Sequence, residues 1–325
     1  MIQARRFFAH KQNWVGLTLV GLFFFLAIAA PWLSPPLDPE APSEYKELKS
    51  TFYQLPNSPR PGSPLGTVPK PPVVSPGIPL GQGHSYQWDV YHTVIWGTRS
   101  ALRFGLIVTL STAIIGVFMG LVSGYTGGWL NGLLMRTTDI FLVFPPIAAV
   151  WVLERAIFSH LVDPFGMPIE LTAGQQLLLD WKIDAIMVSL ILFSWMPYAR
   201  IMNGMVLQMK QETYVEAARA LGASHRHIIQ RHFLPNTLSP AIVLAARDIG
   251  SMVILATAFT FIGLGGNLAW GVTLVGGRDY IIGMGGNPFT YWWVFIPVSL
   301  ALILFGVGWN LLGDGLNDLL NPRLN

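Results

Sequence analysis

The chain has 325 residues, of which 52% are hydrophobic and only 11% charged, with a formal net charge of +3. Soluble domains carry about 25% charged residues, so this composition excludes an ordinary soluble globule, and the small, dispersed positive charge argues against a nucleic-acid-binding surface. With no cysteine in the chain, disulfides, thiolate metal sites and cysteine nucleophiles are excluded as well.

A helix crossing the hydrocarbon core of a bilayer needs about 20 apolar residues. Trp14–Leu33 carries no charge and meets that length. It follows a basic start (Arg5, Arg6, Lys11), and it is longer than the apolar region of a cleaved signal, about 7–15 residues. We read it as a retained first span. Residues 34–80 then hold 13 of the 24 prolines. Proline has no amide donor, so an extended external loop is expected there rather than a packed core. Residues 84–103 are amphipathic, which suggests a segment lying along the outer membrane face.

Five further spans are expected at about 104–125, 133–158, 183–203, 238–265 and 291–312. The second contains Gly116, Gly120 and Gly124, four apart on one face, a spacing that permits close helix contact. The third carries Pro145 and Pro146 near its middle, which predicts a kinked helix beside a pathway or a packing contact. The fifth contains Arg247 and Asp248 about ten residues in. Adjacent residues on a helix point about 100° apart, so each is expected to find its own partner, and both are candidate pathway residues with Pro145.

Lysine and arginine bias sets orientation. With the N-terminus in the cytoplasm, Arg5, Arg6, Lys11, Arg136, Arg200, Lys210, Arg219, Arg226, Arg231 and Arg323 fall inside, against Arg155, Lys182 and Arg278 in the shorter outer loops. Six spans then leave both termini cytoplasmic. They also place the polar stretch YVEAARALGASHRHIIQRHFLPN (214–236) on that side.

That stretch reads as two short helices. Glu212, Glu216 and Arg219 fall on one face, and Val215, Ala218 and Leu221 form an apolar stripe beside it. Gly222 is a natural stop and Ser224 a natural N-cap, and the second helix, with Ile229 and Phe233 paired, is expected to end before Pro235. The alanines Ala217, Ala218 and Ala220 let another surface approach closely. No Walker A loop, H-E-x-x-H or G-x-S-x-G motif is present. His225, His227 and His232 read as a polar face rather than a metal site.

Glu216-Ala217-Ala218, Gly222 and Leu234-Pro235-Asn236 together resemble the EAA loop of permease subunits of ATP-binding-cassette importers. The likeness extends to GYTGGWLNGLLMRTTDIFLVFP (124–145), YARIMNGMVL (198–207), FIGLG (261–265), AWG (269–271) and NLLGDGLNDLLNPRL (310–324), and is to the C-type permease of dipeptide, oligopeptide and nickel importers. The resemblance implies an all-α, six-span type I importer permease in a bacterial or archaeal cytoplasmic membrane. Its parts would be the N-terminus and first span (1–33), an external Pro-rich region (34–103), and a five-helix core (104–325) with the coupling loop at about 212–236. It implies a non-enzymatic subunit without a cofactor of its own. The expected partners are a second permease, two ATPases that bind ATP and Mg, an external substrate-binding protein and membrane lipid.

By the same resemblance Glu216, Ala217, Ala218 and Gly222 would couple to an ATPase, flanked by Tyr214 and Arg219. The expected cargo is a di- or oligopeptide, with nickel or another small solute as the alternative. An independent secondary transporter is a further reading, but it would need paired intramembrane ionisable sites in two halves. The chain departs from the subfamily in several places. Leu65-Gly66-Thr67 runs into Val68, the matching aspartate is Asp89, Ala256 stands where an acid is expected, and Asn203, Asn317 and Asn321 occupy positions where charge is common.

Overall fold

A computed structural model of the chain describes residues 7–8, 10–36, 89–158, 173–283 and 286–320. The expectations for Arg5, Arg6, Arg323, the Leu65–Val68 stretch, Asn321 and most of the Pro-rich region lie outside these residues. Among the described residues every regular element is helical. Five helical segments are long and apolar enough to cross a membrane, and a sixth is a pair of helices bent by 80°. The expected all-α, six-span fold is therefore present.

The first span, α1 (Lys11–Leu33), buries Asn13, Gly16, Val20 and Phe23, a helical spacing that makes one face. That face lies on the last helix, which we number α12 (Trp292–Leu320). A Cβ on Gly16 would meet the Leu311 Cβ at 2.8 Å, and one on Gly308 the Leu19 Cβ at 2.9 Å. The two helices thus run antiparallel.

The second span, α2 (Val90–Thr126), is one helix of 37 residues. Residues 90–103 are its first turns, not a separate surface segment as expected. Val90, His92, Thr93 and Thr98 are fully buried, because the end of α1 and a later helix close over them. The His92 Nδ1 and Ser34 Oγ share a hydrogen bond of 2.6 Å, the Trp96 Nε1–H donates to the Ser34 carbonyl at 2.8 Å, and Trp270 sits on Gly97. Asp89 caps the helix, accepting from the Tyr91 and His92 amides.

The third span is broken rather than kinked. It consists of α3 (Gly128–Val143) and α4 (Pro146–Ala156), with Phe144 and Pro145 extended at ψ 123° and 122°. Two successive prolines remove two amide donors, and a residue before proline is driven out of the helical region. Pro146 opens α4, where a missing amide costs nothing. After α5 (Ala173–Asp180), the fourth span is also interrupted, as α6 (Ala185–Phe193) and α7 (Met196–Met209). The Trp195 indole N–H bonds to the Leu192 carbonyl that this break leaves free.

The Gly116, Gly120 and Gly124 face is filled by α7, as its spacing predicts. Cβ atoms there would meet Tyr198, Met202 and Val206 at 2.5, 2.6 and 2.8 Å. Both series ascend together, so α2 and α7 run parallel. The polar hairpin follows as α8 (Thr213–Ala220) and α9 (His225–Ile228). A π-turn at Ile229–Phe233 then leads into α10 (Leu234–Phe261). α11 (Ala269–Ile282) was not expected and precedes α12. It buries Trp270 against Phe23 and Phe305 of α1 and α12, with ring centroids 6.3 and 5.8 Å apart. At the far end from the hairpin, Asp184 caps α6 and also accepts the Asn267 amide at 2.9 Å, tying α6 to the loop before α11. Burial pushes its carboxyl above the ordinary value, against the pull of these backbone donors.

α10 and α12 cross antiparallel through Gly250 and Gly306, where a Cβ would come within 3.0 Å of the facing Cα. It follows that α1 begins and α12 ends at the hairpin end of the bundle.

Candidate functional site

The hairpin is held by a small core of its own. Val215 from α8, Ile228 from α9 and Phe233 from the π-turn are buried together with Val206 and Met209 of α7. Leu121 and Tyr125 of α2 close the cluster. The Tyr125 hydroxyl also bonds the His225 ring, and the Lys210 ammonium donates to the Gly124 and Tyr125 carbonyls at the end of α2. The hairpin is thereby fixed to the spans rather than hinged on a loop.

Gly222 ends α8 with φ of +81°, a conformation in which a side chain is strained. The Ala223 amide reaches back to the Ala218 carbonyl and the Gly222 amide to that of Arg219, a Schellman arrangement. Ser224 caps α9 by accepting the His227 amide at 3.3 Å. These boundaries match expectation. Two other details do not. Leu221 leaves the apolar stripe and is 88% exposed, because the helix has already ended at Ala220. Nor does the second helix stop before Pro235. His225–Phe261 is continuous, since the π-turn widens the ladder so that the Leu234 amide bonds the Ile229 carbonyl one turn ahead of the proline.

The face of α8 turned away from the bundle carries Tyr214, Glu216, Ala217, Arg219 and Gly222, all exposed, with Ala218 half-buried. Tyr214 stacks obliquely near His232, centroids 5.8 Å apart. The result is a rigid, two-turn projection with little bulk at its centre and charge at its sides. Among the described residues no group of histidine and acidic side chains has the arrangement of a metal site.

The candidate pathway residues are spread out. Arg247 pairs with Asp314 of α12, whereas Asp248 accepts the Tyr198 hydroxyl of α7 at 2.7 Å. The expectation of separate partners holds, and both lie in this chain. They sit near the middle of the continuous helix His225–Phe261. Pro145 lies at the break between α3 and α4, apart from these pairs. Sequence reading missed two polar contacts. Arg200 of α7 pairs with Asp139 of α3. Asn203 donates to Ser123 and Asn131 at 2.7 Å each, so the amide is met by neutral acceptors. The R-x-x-D spacing at 136–139 was the available signal for the first.

Comparison with known proteins places this architecture. Residues 116–325 match the family described as binding-protein-dependent transport system inner membrane component, and residues 2–54 match the N-terminal TM domain of oligopeptide transport permease C. The chain belongs to the binding-protein-dependent transport system inner membrane component family. It is a multi-pass inner-membrane permease, a subunit of a transport system. Among its relatives is a probable D,D-dipeptide transport system permease protein of Escherichia coli, 33% identical over 72% of this chain and 70% of the relative. A glutathione transport system permease protein of Pectobacterium atrosepticum is 32% identical over 73% and 70%, and a dipeptide transport system permease protein of Alkalihalophilus pseudofirmus 28% over 73% and 69%.

Proposed function

We propose that this chain is one of two permease subunits of an ATP-driven, binding-protein-dependent importer of di- or oligopeptides, and that α8 is its coupling helix. The observation that carries the reading is the exposed, small-centred α8, fixed by the Val215–Ile228–Phe233 core to the ends of α2 and α7. A helix so held passes its own displacement to the spans. Tyr214, Glu216, Ala217, Ala218, Arg219 and Gly222 meet a groove of an ATPase subunit, which binds ATP and Mg; this chain binds neither.

The excess of lysine and arginine at the hairpin end supports a cytoplasmic hairpin and cytoplasmic termini. The complex then holds a second permease, two ATPases and an external substrate-binding protein. Closure of the ATPases on ATP draws the coupling helices together and turns the pathway from inward-open to outward-open. Arg247 and Asp248 steady the moving helices through Asp314 and Tyr198, and the α3–α4 break at Pro145 gives the path a wall that is not a continuous helix. The names of the relatives, for dipeptide, glutathione and other peptide systems, favour peptide over nickel.

The test is to purify the tagged chain from native membranes in detergent, identify what copurifies, and reconstitute it. Copurification of a second permease, ATPases and a binding protein, with ATP-dependent uptake of labelled dipeptide, is the expected result. A chain isolated alone, or uptake without ATPases, overturns it.

A further inference from the structure

We infer that Arg136, Asp139 and Arg200 form a charged station midway along the transport path, where the carboxylate and ammonium ends of a passing peptide are held. The inference rests on the peptide-import reading above. Its starting point is a conflict with lipid. Asp139 and Arg200 are 54% and 50% exposed on spanning helices, and Arg136 is exposed with no ion-pair partner among the described residues. Charges within a bilayer face a bundle interior or a water-filled cavity.

The surroundings are built for such a cavity. Along α3 the exposed edge reads Gly128, Gly132, Arg136, Asp139, and along α7 it reads Arg200, Gly204, Gln208. Both series keep one helical face. The glycines of α2 are filled by α7, but a Cβ on Gly128, Gly132 or Gly204 would meet nothing within 4 Å. These glycines serve no helix contact in this chain, so they leave bare backbone facing open space. The remaining exposed side chains of α3 are apolar, Trp129 and Leu133 among them.

Depth agrees. α3 begins and α7 ends at the hairpin end, where Lys210 joins the turn after α2. At 1.5 Å per residue Asp139 lies about 17 Å and Arg200 about 14 Å from that end, near the middle of a core about 30 Å thick. Immediately beyond, both helices break. Phe141, Phe144, Phe193 and Trp195 gather there with ring centroids 4.9–5.8 Å apart, and form an aromatic cluster above the charges. Broken helices at midplane depth are where transporters place their substrate groups. Two guanidiniums face one carboxylate, so the surplus favours the peptide's C-terminal carboxylate, and Asp139 is the counterpart for its ammonium group. The Asp139–Arg200 pair gives way as the peptide's own charges replace each partner.

The absence of native cysteine makes the test direct. Gly204→Cys, Gln208→Cys and, as a lipid-facing control on the exposed side of α1, Phe25→Cys are made singly in the complete importer, which is treated with a charged, membrane-impermeant methanethiosulfonate. The mass of this chain is then read. Modification at 204 and 208 but not 25 is expected; protection of both 204 and 208 overturns the placement on the path. Next, uptake of a dipeptide is compared with that of its C-terminal amide in proteoliposomes, for wild type, Arg136→Gln and Arg200→Gln, with copurifying subunits confirming assembly. The free-to-amide ratio should fall several-fold in both variants. An unchanged ratio overturns the carboxylate assignment, as does full rescue of rate and ratio by the exchanged pair Asp139→Arg with Arg200→Asp, which marks a structural pair. A wild-type complex that carries neither peptide defeats the import reading itself, and the thiol labelling still decides whether this face is water-lined.

Discussion

Gly120 lies so close to Met202 that a Cβ on the glycine would stand 2.6 Å from the methionine Cβ and 2.4 Å from the Ala199 carbonyl oxygen. No side chain fits there without moving α2 away from α7. Gly120→Val should therefore lower the thermal midpoint of the purified chain, at a cost of about 1–3 kcal/mol. Gly21→Ala, on α1 with open space around it, should leave the midpoint where it was. Equal midpoints for Gly120→Val and wild type would remove the close α2–α7 contact from the account.

The Tyr198 hydroxyl gives Asp248 a hydrogen bond of 2.7 Å between α7 and α10. Tyr198→Phe keeps the ring and deletes the donor, leaving a half-buried carboxylate unsatisfied. Such a loss costs about 1–3 kcal/mol. Thermal unfolding should show Tyr198→Phe destabilised and the double variant Tyr198→Phe with Asp248→Leu partly recovered, since an unmet polar group costs more than none.

Asn203 holds Ser123 and Asn131 together across three spans, the last two 2.5 Å apart. Asn203→Ala should expose this hinge of polar contacts as a stability defect of about 1–3 kcal/mol. Hydrogen exchange read by mass spectrometry should rise at the start of α3. Unchanged exchange there would mean that packing alone holds the α2–α3 turn.

At Gly222 the backbone and the space outside it make separable demands. Its φ of +81° penalises any side chain, while no atom lies within 4 Å of the added Cβ. Gly222→Ala should cost about 1 kcal/mol locally and leave uptake largely intact. Gly222→Trp fits the isolated chain but fills the approach of a docking surface, so ATP hydrolysis and peptide uptake should separate in the assembled complex. Wild-type uptake by the tryptophan variant would sink the docking role.

Much of this was legible in the residues because it depends on local spacing. The apolar runs set the spans, Gly222 and Ser224 set the turn of the hairpin, and Gly116, Gly120 and Gly124 announced a close neighbour. Contacts distant in sequence were not legible. Arg200 and Asp139 are 61 positions apart, and Arg247 and Asp314 are 67 apart, so no periodicity links them. The stop expected at Leu234-Pro235-Asn236 failed for a different reason. Burial of Ile228 and Phe233 on α7 favours continuation, and a π-turn absorbs the missing amide at little cost. α11 escaped notice because its 14 residues are too few to span a bilayer, and its contacts with Phe23, Gly97 and Phe305, distant in sequence, hold it in place.

The uninterrupted helix from His225 to Phe261 changes how motion is scaled. At 1.5 Å per residue its 37 residues reach about 55 Å. The π-turn, Pro235 and Pro240 all lie near its hairpin end, so any bend falls there, and the stretch beyond Pro240 runs on to the opposite face without a further break. A tilt of about ten degrees at the base displaces the opposite tip by about 10 Å. The tip carries the glycine-rich loop at 263–266, tied by Asn267 to Asp184. If α8 is the coupling helix, a small displacement at one membrane face would become a larger one at the other, because the chain carries its helix on through Pro235.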